Sequence, residues 1–292
     1  MKSNMMNGSF SGLVGIACCS LLLGACGAPG EADHEPEPQA TDSSELKNGT
    51  LVDGNVRYRG AVILWVWWAQ QSLWQGCTGV ITSRRTVLTA AHCVKDALAP
   101  NTSGNVTVLI QRENTGHTFD SILAQTTAFA NYNPAFDNVT AKYDVAVITA
   151  NTNFSNMAQL DAIPIAKSAP SGSTMWAMGY GFYDTQDTDQ QRDYDGHLRS
   201  GQVVPVYDSA NKEYVFYAGG AQPWLCRGDS GGPLKMVNGA WMTFGVASRA
   251  TNTTGRCGSV WHWATTNQNF SWIKAAIGAA NCTETLTGLF CW

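Results

Sequence analysis

The sequence has few charged residues and no excess of basic ones. Only 14% of its 292 residues are Asp, Glu, Lys or Arg, and the formal net charge is -4. No long run of one charge sign occurs, so the chain lacks the positive surface with which proteins bind the phosphate backbone of DNA or RNA. We therefore exclude nucleic acid as a partner.

The apolar run near the start of the sequence is too short for a transmembrane helix. It extends from Leu13 to Ala25, and a helix rises only about 1.5 Å per residue. With Lys2 before it, this run is typical of an export signal. Its end, Leu23-Gly24-Ala25-Cys26, resembles a bacterial lipobox, so we expect Cys26 to carry lipid and hold the protein at a membrane. The alternative is an ordinary secretory peptide in which Cys26 has no role.

The segment after the signal lacks large apolar residues. Gly27 to Ser44 is rich in Pro, Glu, Asp and small residues and cannot bury enough surface to offset its ordering entropy. We interpret residues 1–25 as a lipoprotein signal peptide and residues 26–45 as a flexible tether or propeptide.

Helical periodicity is scarce in the rest of the chain, whereas short β-rich runs are frequent. The predicted strands are separated by turn residues, which favours an all-β sandwich or barrel. They cover Ala61–Trp68, Cys77–Ile81, Thr86–Leu88, Val106–Ile110, Val145–Thr149, Thr174–Met178, Trp241–Val246 and Ser259–Trp263. One helix is predicted over Asn269–Ala280, because Phe270, Ile273, Ala276 and Ile277 fall on one face.

The cysteine count fits an exported protein. Of nine cysteines, Cys18 and Cys19 lie inside the signal and Cys26 is assigned to lipid, which leaves six. In an oxidising compartment six thiols predict three disulfides, but their spacing does not determine the pairing.

Three segments contain, in order, a histidine, an aspartate and a serine in distinctive surroundings. "LTAAHC" contains His92, "YDVAVI" contains Asp144 and "GDSGGP" contains Ser230. A serine hydroxyl needs a base beside it, a carboxylate that orients the base, and donors aimed at the developing oxyanion. In this order and at these separations the segments resemble the trypsin and chymotrypsin family of serine peptidases, over roughly Leu46 to Ala280.

The resemblance assigns a role to each of these residues. It implies that Ser230 is the nucleophile, that His92 is the general base and then the general acid, and that Asp144 orients the imidazole. The N–H groups of Gly228 and Ser230 would form the oxyanion hole, and Ser248 would support the aspartate. It implies no metal ion and no organic cofactor.

The resemblance also implies the disulfide pairing. Cys77 would join Cys93 beside His92, and Cys226 would join Cys257 beside the specificity pocket. Cys282 and Cys291 would then close a tail of residues 282–292 behind a peptidase domain of residues 46–281. Where many relatives have a further disulfide, this chain has Met175 and Met236, whose flexible side chains can fill the space.

A second departure from the family concerns activation. Family members insert a newly formed amino terminus beside the aspartate that precedes the nucleophile, which is Asp229 here. The best match to that terminus begins at Leu46 and follows Glu45. An activating enzyme specific for Lys or Arg would not cut at this position.

The residues that resemble the specificity pocket are Trp224 at its floor, Ala250, and Ser259 or its neighbour Gly258 on the returning wall. None of them is acidic, so a Lys or Arg entering the pocket would lose hydration without gaining a counter-charge. We favour a shallow pocket for a small or medium apolar residue. The alternative is an acidic residue attracted by nearby basic side chains, namely Arg227, Arg249, Arg256 and His262.

The sequence thus predicts an all-β protein with two six-stranded antiparallel barrels of the chymotrypsin type and a C-terminal helix. We expect a monomeric serine endopeptidase that acts on proteins or peptides with non-tryptic specificity. The alternative is a catalytically silent, surface-anchored binding protein on the same fold.

Overall fold

The computed structural model describes residues 49–52, 60–113, 118–155, 162–168, 170–181, 196–219, 222–238, 240–254, 257–278 and 282–292. Its first strands are β1 (Thr50–Leu51), β2 (Ala61–Trp68), β3 (Leu73–Ile81), β4 (Thr86–Thr89), β5 (Ser103–Glu113), β6 (Phe119–Tyr132) and β7 (Ala146–Ala150). They are followed by β8 (Ile165–Ala166), β9 (Met175–Gly179), β10 (Arg199–Val203), β11 (Val206–Asp208), β12 (Glu213–Tyr217), β13 (Leu225–Cys226), β14 (Pro233–Asn238), β15 (Ala240–Thr254), β16 (Cys257–Thr265), β17 (Cys282–Glu284) and β18 (Gly288–Cys291). The helices are α1 (Lys95–Leu98) and α2 (Thr266–Ile277).

The first half of the domain is a closed six-stranded barrel. Its strands follow the order β2-β3-β4-β7-β6-β5, and every neighbouring pair is antiparallel. Alternate residues of β5, including Val106, Val108 and Ile110, are buried inside the barrel. This period of two is the pattern of a strand with one face in the core.

The second half is a sheet that runs through β1-β10-β9-β14-β15-β16-β12-β11, with shorter strands attached to it. Its core is aromatic and includes the fully buried Tyr214, Phe244, Trp261 and Trp263. A further cluster joins the two halves, because Val80 and Leu88 of the first pack in the same group as Val246 and Ala264 of the second. The double-barrel fold of the chymotrypsin type is thereby confirmed.

The C-terminal helix is present, but its predicted limits are wrong by three residues at each end. We predicted Asn269–Ala280, whereas α2 covers Thr266–Ile277. The apolar periodicity does not mark its start, where Thr266 is buried and its hydroxyl donates to the carbonyl of Ala166 at 2.8 Å. The helix ends at Gly278, whose positive φ of 91° suits glycine. No helix in the described part of the chain is long and apolar enough to cross a membrane.

The tail forms a hairpin that belongs to the second sheet. β17 pairs with β18, and β18 also pairs with β8 through Leu289 and Ile165. A disulfide joins Cys282 to Cys291. Because Leu289 is buried, the hairpin is part of the packed domain.

The sequence pattern missed several strands, of which β6 is the longest. Residues 124–127 of this strand are exposed on both faces, so the apolar alternation that identifies a half-buried strand is interrupted there. Its pairing with β5 and β7 defines it instead.

Candidate active site

His92 lies on a short 3-10 turn, Ala91–Cys93, directly after β4. The neighbouring Cys93 is bonded to Cys77 of β3, which ties this turn to the barrel wall. The side chain of His92 is 30% exposed. One edge of the imidazole therefore faces solvent while the other faces the protein.

Asp144 is fully buried in front of β7 and faces His92. Its Oδ1 accepts the backbone N–H of His92 at 2.9 Å, and its Oδ2 lies 2.8 Å from Nδ1 of the same residue. Ser248 of β15 donates its hydroxyl to Oδ2 at 2.7 Å. These three contacts hold the carboxylate in one orientation and leave Nε2 of His92 on the opposite side of the ring.

The pKa of His92 is raised above its ordinary value of 6.5. Burial is the largest single influence and lowers this pKa, whereas the charge of Asp144 and its hydrogen bond raise it. Together the contributions of the aspartate outweigh burial. The pair therefore favours the protonated imidazole, the form that a general base reaches after it accepts a proton.

Ser230 lies in the loop between β13 and β14, where the backbone requires glycine. Gly228 and Gly231 have φ angles of 97° and 83°. A Cβ on Gly231 would meet Oγ1 of Thr89 at 2.1 Å and the carbonyl oxygen of Thr78 at 2.2 Å. The loop can approach the first barrel this closely only because these positions have no side chain.

A cavity of about 490 Å³ contains the groups that the motifs singled out. His92, Gly228 and Ser230 all line it. The other described lining residues are Trp65, Gln75, Gly76, Cys77, Tyr180 and Arg227. The structure therefore brings Ser230, Gly228 and the oriented imidazole of His92 to one open site.

Trp65 lines this cavity, a position that the sequence did not predict. A Cβ on Gly76, its partner across the β2–β3 pair, would lie 2.9 Å from the indole ring. The indole Nε1 donates to the side-chain oxygen of Gln111 at 3.1 Å. The run of tryptophans in β2 was read only as a strand, and nothing in its spacing distinguishes Trp65 from its neighbours.

The predicted pocket residues lie in or next to three neighbouring strands, β13, β15 and β16. Trp224 directly precedes β13, which pairs with β16 next to Ser259. Trp224 and Ala250 are half-buried against the aromatic core of the second sheet. Ser259 is buried, and its hydroxyl accepts a hydrogen bond from the side chain of Asn252 at 2.7 Å. None of the three is among the described lining residues of the cavity, so their role in specificity stays a prediction.

The basic residues near the pocket are partly neutralised by Glu213. Its Oε1 accepts from Nη2 of Arg249 at 3.0 Å and lies 2.9 Å from Nδ1 of His262. Arg227 is exposed on the cavity rim, and Arg256 lies outside the described residues. The buried Glu213 was not anticipated because it is distant in sequence from both partners, and it weakens the argument for a pocket that attracts acidic residues.

Asp229 is a fully buried carboxylate in the loop that also contains Gly228 and Ser230. It accepts the N–H of Gly181 at 2.9 Å and that of Cys226 at 2.8 Å. Burial raises the pKa of Asp229 to about 7, although these hydrogen bonds and the charge of Arg199 lower it. Leu46, the residue predicted to supply an ammonium to Asp229, lies outside the described residues, as does Cys26.

Comparison with known proteins identifies the family. The Trypsin family model matches residues 52–273. The chain belongs to the trypsin family. The match begins at Val52 in the first described segment, contains both barrels and ends inside α2.

Individual relatives are distant. The chain is 28% identical over 210 residues to Transmembrane protease serine 5 of Homo sapiens, covering 63% of this chain and 43% of the relative. It is 30% identical over 166 residues to Trypsin iota of Drosophila melanogaster, covering 54% of this chain and 63% of that one. Chymotrypsin-like elastase family member 1 of Felis catus is 28% identical over 182 residues, which cover 59% of this chain and 67% of the relative. The chain thus spans less than two thirds of the length of the first two relatives.

Two methionines of this trypsin-family chain mark one departure from the common pattern. Met175 is fully buried and Met236 half-buried in the same core cluster, where the resemblance places a disulfide in many relatives.

Cys226 is bonded to Cys257. Ligand atoms of Cys77, His92 and Cys93 lie within 4.8 Å of one another, but both sulfurs form a disulfide and neither is a thiolate that binds metal.

Proposed function

We propose that this trypsin-family protein is a serine endopeptidase that hydrolyses peptide bonds through an acyl-enzyme. The observation that carries the proposal is the contact of Asp144 with both the backbone and Nδ1 of His92, in a cavity that Ser230 also lines. In this mechanism Nε2 of His92 takes the proton of the Ser230 hydroxyl as its oxygen attacks the carbonyl carbon. The carboxylate of Asp144 stabilises the imidazolium that results.

The N–H groups of Gly228 and Ser230 serve as the donors for the negative charge on the carbonyl oxygen. The imidazolium then donates its proton to the leaving amine, and the C–N bond breaks to give an ester on Ser230. A water molecule, deprotonated by the same imidazole, hydrolyses this ester and restores the hydroxyl. The cycle needs only groups of this chain and water, in keeping with the expectation that no cofactor takes part.

The test is covalent labelling with a serine-reactive phosphonate, followed by hydrolysis of a peptide library. The native chain is expected to be labelled at Ser230 and to cleave peptides. The Ser230→Ala variant should fold and do neither, since it loses one oxygen from a surface loop. A native, folded chain that is neither labelled nor active would instead favour a silent binding protein.

We propose further that the protein is exported and held at a membrane through lipid on Cys26. Three disulfides among the described residues are compatible with an oxidising compartment. Mass spectrometry of the mature protein tests the anchor, with a diacylated Cys26 as the expected amino terminus. Membrane-associated protein with an unmodified terminus downstream of Cys26 would contradict it.

Cleavage between Glu45 and Leu46 is proposed as the activating step. A buried ammonium is tolerable only beside a charge, and Asp229 supplies a buried carboxylate. The Leu46→Pro variant, which blocks cleavage at this bond, is expected to remain a weak enzyme. Full activity of the uncut chain would show that the loop is ordered without the new terminus.

A further inference from the structure

We infer that Thr78 is a positioning residue for the oxyanion loop, which we define as residues 227–231. This inference rests on the proposed function, because it assigns Thr78 to the same reaction. Thr78 lies in β3 of the first barrel and is fully buried. The loop that it contacts lies between β13 and β14 in the other half of the domain.

Thr78 contacts this loop through two separate bonds. Its backbone N–H donates to the carbonyl of Ser230 at 2.8 Å. Its side-chain hydroxyl donates to the carbonyl of Gly228 at 2.8 Å. The carbonyl groups on both sides of Asp229 are therefore held by one residue of the first barrel.

The hydroxyl also accepts a bond, which gives it a fixed direction. The backbone N–H of Tyr180 donates to Oγ1 of Thr78 at 3.0 Å. A hydroxyl has a single proton, and here that proton is committed to Gly228. Since Gly181, the next residue along the chain, donates to Asp229, the hydroxyl also connects the loop to the segment that holds its buried aspartate.

The position of the Gly228 carbonyl matters for the proposed oxyanion hole. Gly228 has a φ of 97°, which its neighbours must maintain because glycine has little preference of its own. The direction of its N–H depends on this angle, and an oxyanion donor acts only when it is aimed in advance. The Thr78 hydroxyl holds the carbonyl end of the same residue and so helps to maintain the direction of the N–H.

None of these bonds involves the segment proposed to insert after cleavage. Thr78 bonds to Tyr180, Gly228 and Ser230, and none of these three bonds uses a residue of 46–48. The first barrel therefore helps to order the oxyanion loop even without the terminus proposed to form after cleavage. The contribution of Thr78 is expected both in the uncut chain and in the processed one.

The test compares Thr78→Val, Thr78→Ser and a control. Valine has the shape of threonine without the hydroxyl, whereas serine keeps it. The control is Thr266→Val, because Thr266 is equally buried and donates to a carbonyl, that of Ala166, away from the cavity. Each variant is made in the full chain, and kcat and KM are measured on one peptide substrate.

Thr78→Val is expected to lower kcat about tenfold relative to Thr266→Val with little change in KM, since the lost bond acts on the transition state. Thr78→Ser should restore kcat to within about threefold of the native value. A loss in Thr78→Val smaller than about threefold, or a serine variant as slow as the valine one, would overturn the inference.

Amide hydrogen exchange provides a second readout that needs neither catalysis nor a folded valine variant. In the Ser230→Ala chain, the N–H of Tyr180 should exchange as slowly as the ladder amides of β3, and exchange at the level of exposed amides would overturn the inference. If the native chain shows no peptidase activity, the proposed function fails while this measurement still decides whether the hydroxyl holds the segment.

Discussion

One carboxylate holds His92 at two points: Oδ1 of Asp144 accepts its backbone N–H at 2.9 Å, and Oδ2 lies 2.8 Å from its Nδ1. The main-chain bond positions the turn, and the side-chain bond orients the ring. The two functions belong to different oxygens, so a substitution that affects one of them need not affect the other.

Replacing Asp144 by Asn is expected to lower kcat by about four orders of magnitude, because an amide in the orientation that donates to Nδ1 selects the wrong tautomer of His92. Steady-state kinetics with a peptide ester measures this. Ser248→Ala is the matched control, since it removes only the 2.7 Å bond to Oδ2 and should cost far less. Equal losses in the two variants would contradict the assigned roles.

The pH dependence of kcat/KM should report the pKa of His92. Asp144 raises this pKa above 6.5 despite the opposing effect of burial, and only the neutral imidazole accepts a proton from Ser230. Activity is therefore expected to rise with pH, with a midpoint above 6.5. In Asp144→Asn, where burial acts without the opposing charge, the midpoint should move to lower pH. A midpoint that stays in place would show that another group controls the profile.

The stability of the uncut chain should depend on Asp229. Its pKa is about 7 when folded against an ordinary value of 3.8, so the folded chain binds a proton that the unfolded chain releases between these pH values. By linkage the free energy of unfolding falls as pH rises through this window. The free energy of unfolding of Asp229→Asn minus that of the native chain should therefore increase from pH 4 to pH 7. Urea unfolding at several pH values measures this difference. If the difference between the two free energies of unfolding did not change with pH, the raised pKa of Asp229 would be contradicted.

The tail disulfide is expected to stabilise the domain without affecting catalysis. Cys282 and Cys291 are 9 residues apart, and closing so short a loop stabilises by roughly 2 to 3 kcal/mol. Replacing both by serine should lower the free energy of unfolding by this amount and leave kcat unchanged. The same change at Cys77 and Cys93, whose disulfide ties the His92 turn to β3, should reduce activity as well. If replacing Cys282 and Cys291 lowered kcat at temperatures where the variant stays folded, the claim that this disulfide does not affect catalysis would be refuted.

Specificity is expected to be non-tryptic. Peptides that differ only in the residue before the scissile bond, with Ala, Val, Leu, Phe, Glu, Lys or Arg, test this directly. Fastest turnover of a small or medium apolar residue is expected, since Trp224 is large and Glu213 offsets the charge of Arg249. Preference for Glu would overturn the apolar pocket, and preference for Lys or Arg would overturn both versions of the pocket.

The motifs made the proposed reacting groups and the support from Ser248 predictable, whereas other contacts of the site were hidden. His92, Asp144 and Ser230 stand in short segments whose residues are dictated by local chemistry, and the strands beside His92 and Asp144 are short, almost wholly buried runs. Thr78 and Glu213 act through partners more than thirty residues away, so no local pattern marks them. The helix was recognisable from its apolar face, but its start depends on Thr266 and a contact with β8.

The bond between Thr78 and Ser230 has a consequence for the order of events during folding. Ser230, the proposed nucleophile, is carried by the second half of the chain, yet its carbonyl is held by the first. Contacts so distant in sequence form late, because the entropy of closing the intervening chain is lost before they can compensate for it. The geometry proposed for catalysis thus arises only when the two halves have docked. A chain still being synthesised would contain Ser230 without the geometry proposed for its reactivity, so the proposed peptidase would not attack its surroundings before it had finished folding.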